Sequence, residues 1–108
     1  MYSRVVSFTV LPDTCELTRE IIHEKIIPVL RKQQGLVDLV ILQSSDEPNQ
    51  FLAITLWETR DHADDYHRDV YSQLIGLLKA HIDGEADVRF FTVDTSTFHH
   101  IAAGRVAA

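Results

Sequence analysis

The stretch FLAITLWETRDHADDYHRDVY, residues 51–71, passes from a continuous apolar run into an amphipathic pattern. The run ends at Trp57, the single tryptophan of the chain, and its β-branched and aromatic residues are typical of a strand. Thr59 follows at a position where its side chain can cap a helix. That helix carries Tyr66 and His67 on its apolar stripe. Because ligand pockets often lie where a strand end leads into a helix, we expect the functional site at this junction.

Further strands are predicted on either side of this junction, at residues 4–10, 36–42 and 86–93. The helix between the first two strands is expected to begin with Asp13 or Thr14 as its cap and to end at Gly35. Pro28 is expected to kink it, because proline cannot donate to the carbonyl group four residues earlier.

The second helix is expected to run from Thr59 to a point before Gly84, with a break near Asp69. The resulting order is βαββαβ, which predicts an α+β, ferredoxin-like domain with a four-stranded antiparallel sheet. The two helices can cover only one face of that sheet. Since the other face is also apolar, we expect a second copy of the chain to cover it in a homodimer.

Composition excludes several classes of protein. The chain has 108 residues and a net charge of −6, which argues against nucleic-acid binding. No apolar stretch is long enough to span a membrane, and a single cysteine gives no sign of an oxidising compartment, so a cytoplasmic protein is expected. We expect one domain at residues 1–95 and a C-terminal tail at residues 96–108, which is either loose or an interface arm.

Several short motifs resemble the antibiotic biosynthesis monooxygenase (ABM) domain family of the dimeric α+β barrel superfamily. They are Gly35-Leu36-Val37, Asp46-Glu47-Pro48-Asn49, Leu56-Trp57-Glu58-Thr59, Asp61-His62-Ala63 and Tyr66-His67. The resemblance covers about residues 2–95. It implies a homodimer whose two sheets form an α/β barrel, with a pocket in each subunit between sheet and helices.

The resemblance also implies a range of activities. Some members oxidise polycyclic phenols with molecular oxygen and no cofactor, and others degrade haem or have no known activity. Haem-degrading members use an asparagine, a second tryptophan and a histidine at positions that hold Ser7, Tyr66 and Gly76 here. The resemblance therefore disfavours haem degradation, and no cofactor is expected. Trp57 matches a tryptophan that lies in the pocket of the phenol-oxidising members.

The candidate ligand-binding residues follow from two periodicities. Strand alternation places Thr55 and Trp57 on one face, and helical spacing turns Tyr66, His67 and Tyr71 towards the sheet. Ser7 in the first strand is a further candidate for a pocket wall. The predicted ligand is a flat aromatic or hydrophobic small molecule, and His67 is the candidate base because an imidazole titrates near neutral pH. The alternative is that Trp57 and Tyr66 are core residues and His67 is a buried neutral side chain.

The six histidines and the single cysteine give no further indication of a metal site or a nucleophile. No His or carboxylate spacing typical of a metal site is present, so no metal is expected. Cys15 is expected to be inert, since nothing near it in sequence suggests a nucleophile. Two functions stay open. One is a cofactor-independent monooxygenase acting on a small aromatic or polyketide-type phenol. The other is a non-catalytic dimeric barrel protein that binds a hydrophobic ligand or is associated with a stress response.

Overall fold

Strands and helices alternate along the chain in the predicted order. A computed structural model describes residues 1–106. The first half contains β1 (Tyr2–Thr9), α1 (Cys15–Ile21), a π-helical segment (Ile22–Ile26), α2 (Ile27–Leu30) and β2 (Leu36–Gln43). The second half contains β3 (Gln50–Trp57), α3 (Arg60–Asp69), α4 (Tyr71–Leu78), a 3₁₀ turn (Lys79–His81), β4 (Asp87–Thr92), β5 (Ile101–Ala102) and β6 (Arg105–Val106).

The sheet has the ferredoxin-like strand order β2-β3-β1-β4, and all neighbouring strands are antiparallel. The two central strands are therefore β1 and β3, whose register pairs Tyr2 with Trp57. β1 continues to β4, where Arg4 lies opposite Phe90. This topology confirms the predicted fold class. It also places the end of β3, where α3 begins, beside the start of β1.

The first helix accommodates Pro28 by a wider turn and not by the simple kink that was expected. Its backbone widens into the π-helical segment Ile22–Ile26 directly before Pro28. A proline inside a helix lacks the donor N–H and crowds the carbonyl group one turn earlier, and a wider turn relieves that conflict. At the start of this helix the Thr14 hydroxyl donates to the Leu11 carbonyl oxygen (2.6 Å) and makes no cap bond, so the expected side-chain cap by Thr14 is wrong.

The second helix follows the predicted boundaries closely. Thr59 caps α3, since its hydroxyl oxygen accepts from the His62 backbone N–H at 3.2 Å. The break lies at Val70, next to the expected position at Asp69, and its backbone is not helical (φ −125°). Gly35 was expected to end the first helix, but that helix ends at Leu30 with Arg31 as its C-cap, and Gly35 lies in the turn before β2. Its φ of +84° favours glycine. The non-helical backbone of Val70 thus separates α3 from α4.

The helices cover one face of the sheet and form the core with it. Trp57 and Ala63 are fully buried there. The opposite face, which we call the open face, carries partly exposed apolar side chains, among them Val40, Leu42 and Phe91. Among the described residues, no helix is long and apolar enough to cross a membrane.

The C-terminal segment folds back onto its own chain as far as residue 106. β5 and β6 form a small antiparallel pair, and Ile101 is buried outside the main core. His99 Nε2 lies 3.7 Å from Asp38 Oδ2, on the side of β2 that belongs to the open face. The tail was expected at residues 96–108, of which residues 107 and 108 lie outside the described part of the chain.

Candidate functional site

A cavity of about 60 Å³ lies between the covered face of the sheet and the helices. Three of the four strands, β1, β2 and β3, contribute to its floor. Most of its roof is formed by the π-helical segment, α2 and α4. Most lining side chains are aliphatic. The exceptions are the aromatic or polar side chains of Arg4, Phe8, Thr55, Tyr66 and Tyr71. An apolar pocket with a few convergent polar groups is the usual form of a small-molecule site.

Arg4 is the charged group of this cavity. Alternation in β1 turns it inward together with Val6 and Phe8, and its residue is only 2% exposed. The guanidinium carbon lies over the rings of Tyr71 (4.4 Å from the centroid), Tyr66 (5.0 Å) and Phe90 (5.8 Å). Burial lowers the pKa of Arg4 from its ordinary value, and the two tyrosines counteract that effect in part.

The Arg4 cation has no anionic partner within the described residues. It takes part in none of the ion pairs found between residues 1 and 106. Its Nε atom is buried without a hydrogen-bond partner. A buried charge is costly unless it is paired. An unpaired cation aimed into an apolar cavity therefore favours a ligand that brings a negative charge.

Arg4 holds His67 through one hydrogen bond of 2.9 Å between Nη2 and Nδ1. Because a guanidinium group only donates, Nδ1 must accept, and the proton of a neutral imidazole then resides on Nε2. Burial lowers the pKa of His67, and the Arg4 charge lowers it further, which keeps the ring neutral. His67 also stacks on Tyr71 (5.4 Å) and meets Phe90 edge-on (5.2 Å).

The two tyrosines are neutral hydroxyl groups beside this cation. Burial raises the pKa of Tyr66 to about 12, with the nearby Arg4 acting against that shift. Burial also raises the pKa of Tyr71, again opposed by Arg4. Neither side chain therefore supplies the missing negative charge near neutral pH. Both can donate a hydrogen bond instead.

Trp57 lies behind the cavity wall. Its side chain is fully buried, its ring stacks on Tyr66 with centroids 5.0 Å apart, and its Nε1 donates to Thr55 Oγ1 at 2.9 Å. Thr55 and Tyr66 line the cavity, whereas Trp57 does not. Trp57 therefore fixes the positions of two lining residues, which differs from the pocket-wall position expected from the sequence.

The structure brings together most, but not all, of the predicted site residues. Thr55, Tyr66 and Tyr71 line the cavity, and His67 reaches it through Arg4. Ser7 does not join them, because it alternates with Val6 and Phe8 and borders a different groove on the open face, beside Leu42 and Leu52. Ser7 is thus separated from the cavity by the sheet itself.

Arg4 is the residue that the sequence interpretation missed. It stands at the start of a strand and resembles the other scattered basic residues in the sequence. The available signal was the period of two, since Arg4 shares its strand face with the apolar Val6 and Phe8. A charged residue on the apolar face of a central strand is unusual enough to mark a functional candidate.

The chain is similar to known proteins in sequence and in structure. The family profile "Antibiotic biosynthesis monooxygenase" matches residues 1–73. None of the curated proteins matches the chain significantly.

Solved structures share the fold at low sequence identity. A protein from Nitrosomonas europaea assigned as an antibiotic biosynthesis monooxygenase is 21% identical, with a TM-score of 0.72 over 84% of this chain and 96% of that chain. A Deinococcus radiodurans protein with the same assignment is 13% identical, with a TM-score of 0.75 over 89% and 95%. SnoaB from Streptomyces nogalater, described as a cofactor-independent oxygenase, is 21% identical, with a TM-score of 0.73 over 89% and 95%.

Proposed function

The chain belongs to the antibiotic biosynthesis monooxygenase family, and we propose that it is a cofactor-independent monooxygenase acting on a small aromatic or polyketide-type phenol. The observation that carries this proposal is the buried Arg4 guanidinium group, which lines an apolar cavity and has no carboxylate partner in residues 1–106. Such a site favours an aromatic molecule that becomes an anion. A phenol that ionises to a phenolate has both properties.

Ionisation of the phenol is the first proposed step. The substrate hydroxyl group approaches Arg4 and competes with His67 Nδ1 for the Nη2 donor. Once displaced, Nδ1 regains a free lone pair and accepts the phenolic proton, while the phenolate oxygen pairs with Arg4. His67 is therefore the proposed base, as the sequence also suggested. The lowered pKa of His67 ensures that the ring is unprotonated and ready to accept at neutral pH.

Oxidation of the phenolate is the second proposed step. The electron-rich ring transfers an electron to molecular oxygen, and recombination forms a carbon–oxygen bond at the ring carbon opposite the phenolate oxygen. His67 returns the phenolic proton to the resulting peroxide anion. The hydroperoxide then loses its outer oxygen together with the ring hydrogen as water and leaves a quinone. One oxygen atom of O₂ enters the product and the other leaves in water. The substrate supplies all the electrons, so no external reductant is needed.

The remaining site residues would position the ring. Tyr66 and Thr55 line the cavity and are held by Trp57, so we propose that they fix the orientation of the substrate. Exclusion of water by the aliphatic walls strengthens the interaction between Arg4 and the phenolate, because charges attract more strongly at low dielectric constant. The neighbour described as a cofactor-independent oxygenase supports this reaction type.

A second candidate function is non-catalytic binding of a hydrophobic anion in the same cavity. The observation that favours it is the engagement of His67 Nδ1 by Arg4, which leaves no free general base until that bond is broken. Under this alternative the aromatic anion would bind to Arg4 already ionised.

Oxygen uptake separates the two functions. Purified protein would be incubated with hydroxynaphthalenes and hydroxylated anthracenes, and oxygen consumption and quinone absorbance would be recorded together. We expect one O₂ consumed for each quinone formed. Ligands that raise the melting temperature without oxygen uptake across the panel would overturn the monooxygenase proposal and support the binding alternative.

We also propose that the functional unit is a homodimer. The open face of the sheet carries the partly exposed side chains of Val40, Leu42 and Phe91. Exposed apolar side chains on a sheet face that no helix covers are typical of protein–protein contacts. His99 lies beside Asp38 on this face, so the tail would border the dimer interface at that point.

A further inference from the structure

The phenol side chain of Tyr71 covers the pair formed by Arg4 and His67. The Arg4 guanidinium carbon lies 4.4 Å from the Tyr71 ring centroid. The His67 ring stacks on the same tyrosine at 5.4 Å, with an interplanar angle of 16°. Since Arg4 and His67 are hydrogen-bonded to each other, they present neighbouring polar surfaces to one ring. An internal phenol therefore already occupies the position most favourable for an aromatic ligand.

The cavity is too small for a ligand ring while Tyr71 stays in place. Its volume of about 60 Å³ corresponds to roughly two water molecules, and an engineered protein cavity that binds benzene measures about 150 Å³. A wall residue must move before a phenol can enter. The residue that moves must have space on its far side.

Tyr71 has that space, and its backbone allows movement. Tyr71 and Ile75 line both the cavity and a surface groove of about 430 Å³ between α4 and the segment that leads into β4. Tyr71 is the first residue of α4 and directly follows the non-helical Val70, with no side-chain cap at this helix start. Tyr66, which also faces the guanidinium group, is instead held by its stacking on the fully buried Trp57.

We propose that Tyr71 is a gate that holds the place of the substrate ring. An aromatic ligand with an ionised hydroxyl group displaces Tyr71 towards the groove, takes the space of its ring and brings its oxygen within reach of Arg4. This inference rests on the proposed function for the class of ligand. It adds that ligand affinity is limited by the displacement of Tyr71, because every bound ligand must first break the contacts of Tyr71 with Arg4 and His67.

Binding of two matched probes tests the gate. The probes are 4-nitrophenolate, an aromatic anion, and nitrobenzene, its neutral counterpart, each titrated by calorimetry into the unaltered protein and into Tyr71→Ala. We expect Tyr71→Ala to bind 4-nitrophenolate about tenfold more tightly, because the cost of opening the gate is removed. The gain for nitrobenzene should be similar, since both probes are relieved of the same opening cost. In both proteins 4-nitrophenolate should bind more tightly than nitrobenzene, because only the anion can pair with Arg4.

Ile75→Ala is the matched control, since Ile75 lines the same cavity and the same groove one helical turn further on. This variant adds space but leaves the Tyr71 gate in place, so it should improve the binding of both probes much less than Tyr71→Ala does. The gate is overturned if Tyr71→Ala binds 4-nitrophenolate more weakly, as expected for a permanent stacking wall. It is also overturned if Tyr71→Ala gains no more than Ile75→Ala for either probe.

Two further measurements keep the test decisive. If Tyr71→Ala does not fold, as judged by circular dichroism, NMR of the unaltered protein replaces it. Saturation with 4-nitrophenolate should then shift the Tyr71 ring signals strongly and those of Tyr66 little, and the reverse pattern overturns the gate. The binding assays need no turnover. Gated binding without oxygen uptake would remove only the proposed reaction, and oxygen uptake with weaker binding in Tyr71→Ala would remove only the gate.

Discussion

At the scale of single residues, Arg4 is expected to lower the stability of the fold and to support the proposed function. Its guanidinium group is buried, and its polar side-chain partners His67 and Tyr66 are both neutral. Burial of a charge under these conditions costs free energy of folding, and a hydrophobic side chain of similar length avoids that cost. The same charge is what the proposed phenolate would pair with. Arg4 is therefore expected to be retained for its function and at the expense of stability.

Arg4→Met should accordingly raise stability and lower activity. We expect the free energy of unfolding in urea to rise by about 1 kcal/mol. The value of kcat/KM for a phenol should fall about 100-fold, as for loss of one donor to an oxyanion. Arg31→Met is the control, because Arg31 is exposed at the end of α2 and lies away from the cavity. A variant that is less stable and fully active would show that Arg4 has a structural role instead.

His67 should make stability depend on pH in a defined window. Its pKa is lowered in the folded chain, so the folded state takes up a proton less readily than the unfolded state. The free energy of unfolding should therefore fall as the pH drops below the ordinary histidine pKa of about 6.5, and His67 should contribute no pH dependence well above it. A protonated His67 also cannot accept the phenolic proton, so activity should decline as the pH falls through the lowered pKa of His67 in the folded chain.

Urea denaturation on both sides of that window measures the effect. His67→Gln should lose part of the stability difference between about pH 7.5 and pH 5.5 that the unaltered protein shows. His23→Gln, which changes an exposed histidine, should keep that difference. Equal pH dependence in all three proteins would contradict the assignment of a lowered pKa to His67.

At the scale of secondary-structure elements, Gly35 connects the first helix to the placement of α3. Its φ of +84° is unfavourable for other residues, and a Cβ atom there would lie 2.3 Å from Cγ of His62. His62 in turn belongs to the cap of α3, where its backbone N–H donates to Thr59 and its Nδ1 lies 2.9 Å from the same hydroxyl group. A side chain at position 35 would therefore disturb the start of the helix that carries His67.

Gly35→Ala should lower the free energy of unfolding by about 2–4 kcal/mol, from the backbone conformation and the steric conflict together. Gly84→Ala separates the cost of the backbone conformation from the cost of the steric conflict. Its φ is +79°, but a Cβ atom would have no neighbour within 4 Å, so only about 1 kcal/mol should be lost. Similar losses in the two variants, measured by urea denaturation, would show that His62 moves aside without cost.

The elements also show which features a sequence can predict. The Thr59 cap and the break at Val70 depend on interactions within a few residues, and the sequence pattern predicted the cap itself and the residue next to the break. The π-helical segment before Pro28 was not predicted, because proline can be accommodated by a kink or by a wider turn. The choice between those two outcomes depends on packing against the sheet, which a local pattern does not contain.

At the scale of the whole molecule, the fold was more predictable than the site. Apolar periodicity and element order are sufficient for the ferredoxin-like topology, since few arrangements bury those faces. The site depends on residues far apart in sequence, such as Arg4 and His67, whose contact follows only from the register of the strands and the packing of α3. Trp57 illustrates the difference. Its burial was predictable from its strand, but its position behind Tyr66 required the assembled core.

The open face leads to a prediction about assembly. Val40 and Leu42 are neighbouring outward residues of β2 and are 42% and 47% exposed. If this face is the dimer interface, the unaltered chain should be a dimer by light scattering at micromolar concentration. The double variant Val40→Lys, Leu42→Lys should then be a folded monomer, because lysine charges oppose burial at the interface. Leu17→Lys is the control, since Leu17 is equally exposed (46%) but lies on α1, and this variant should stay dimeric. A monomeric unaltered chain would contradict the two-sheet barrel, and the exposed side chains of β2 would then need another partner.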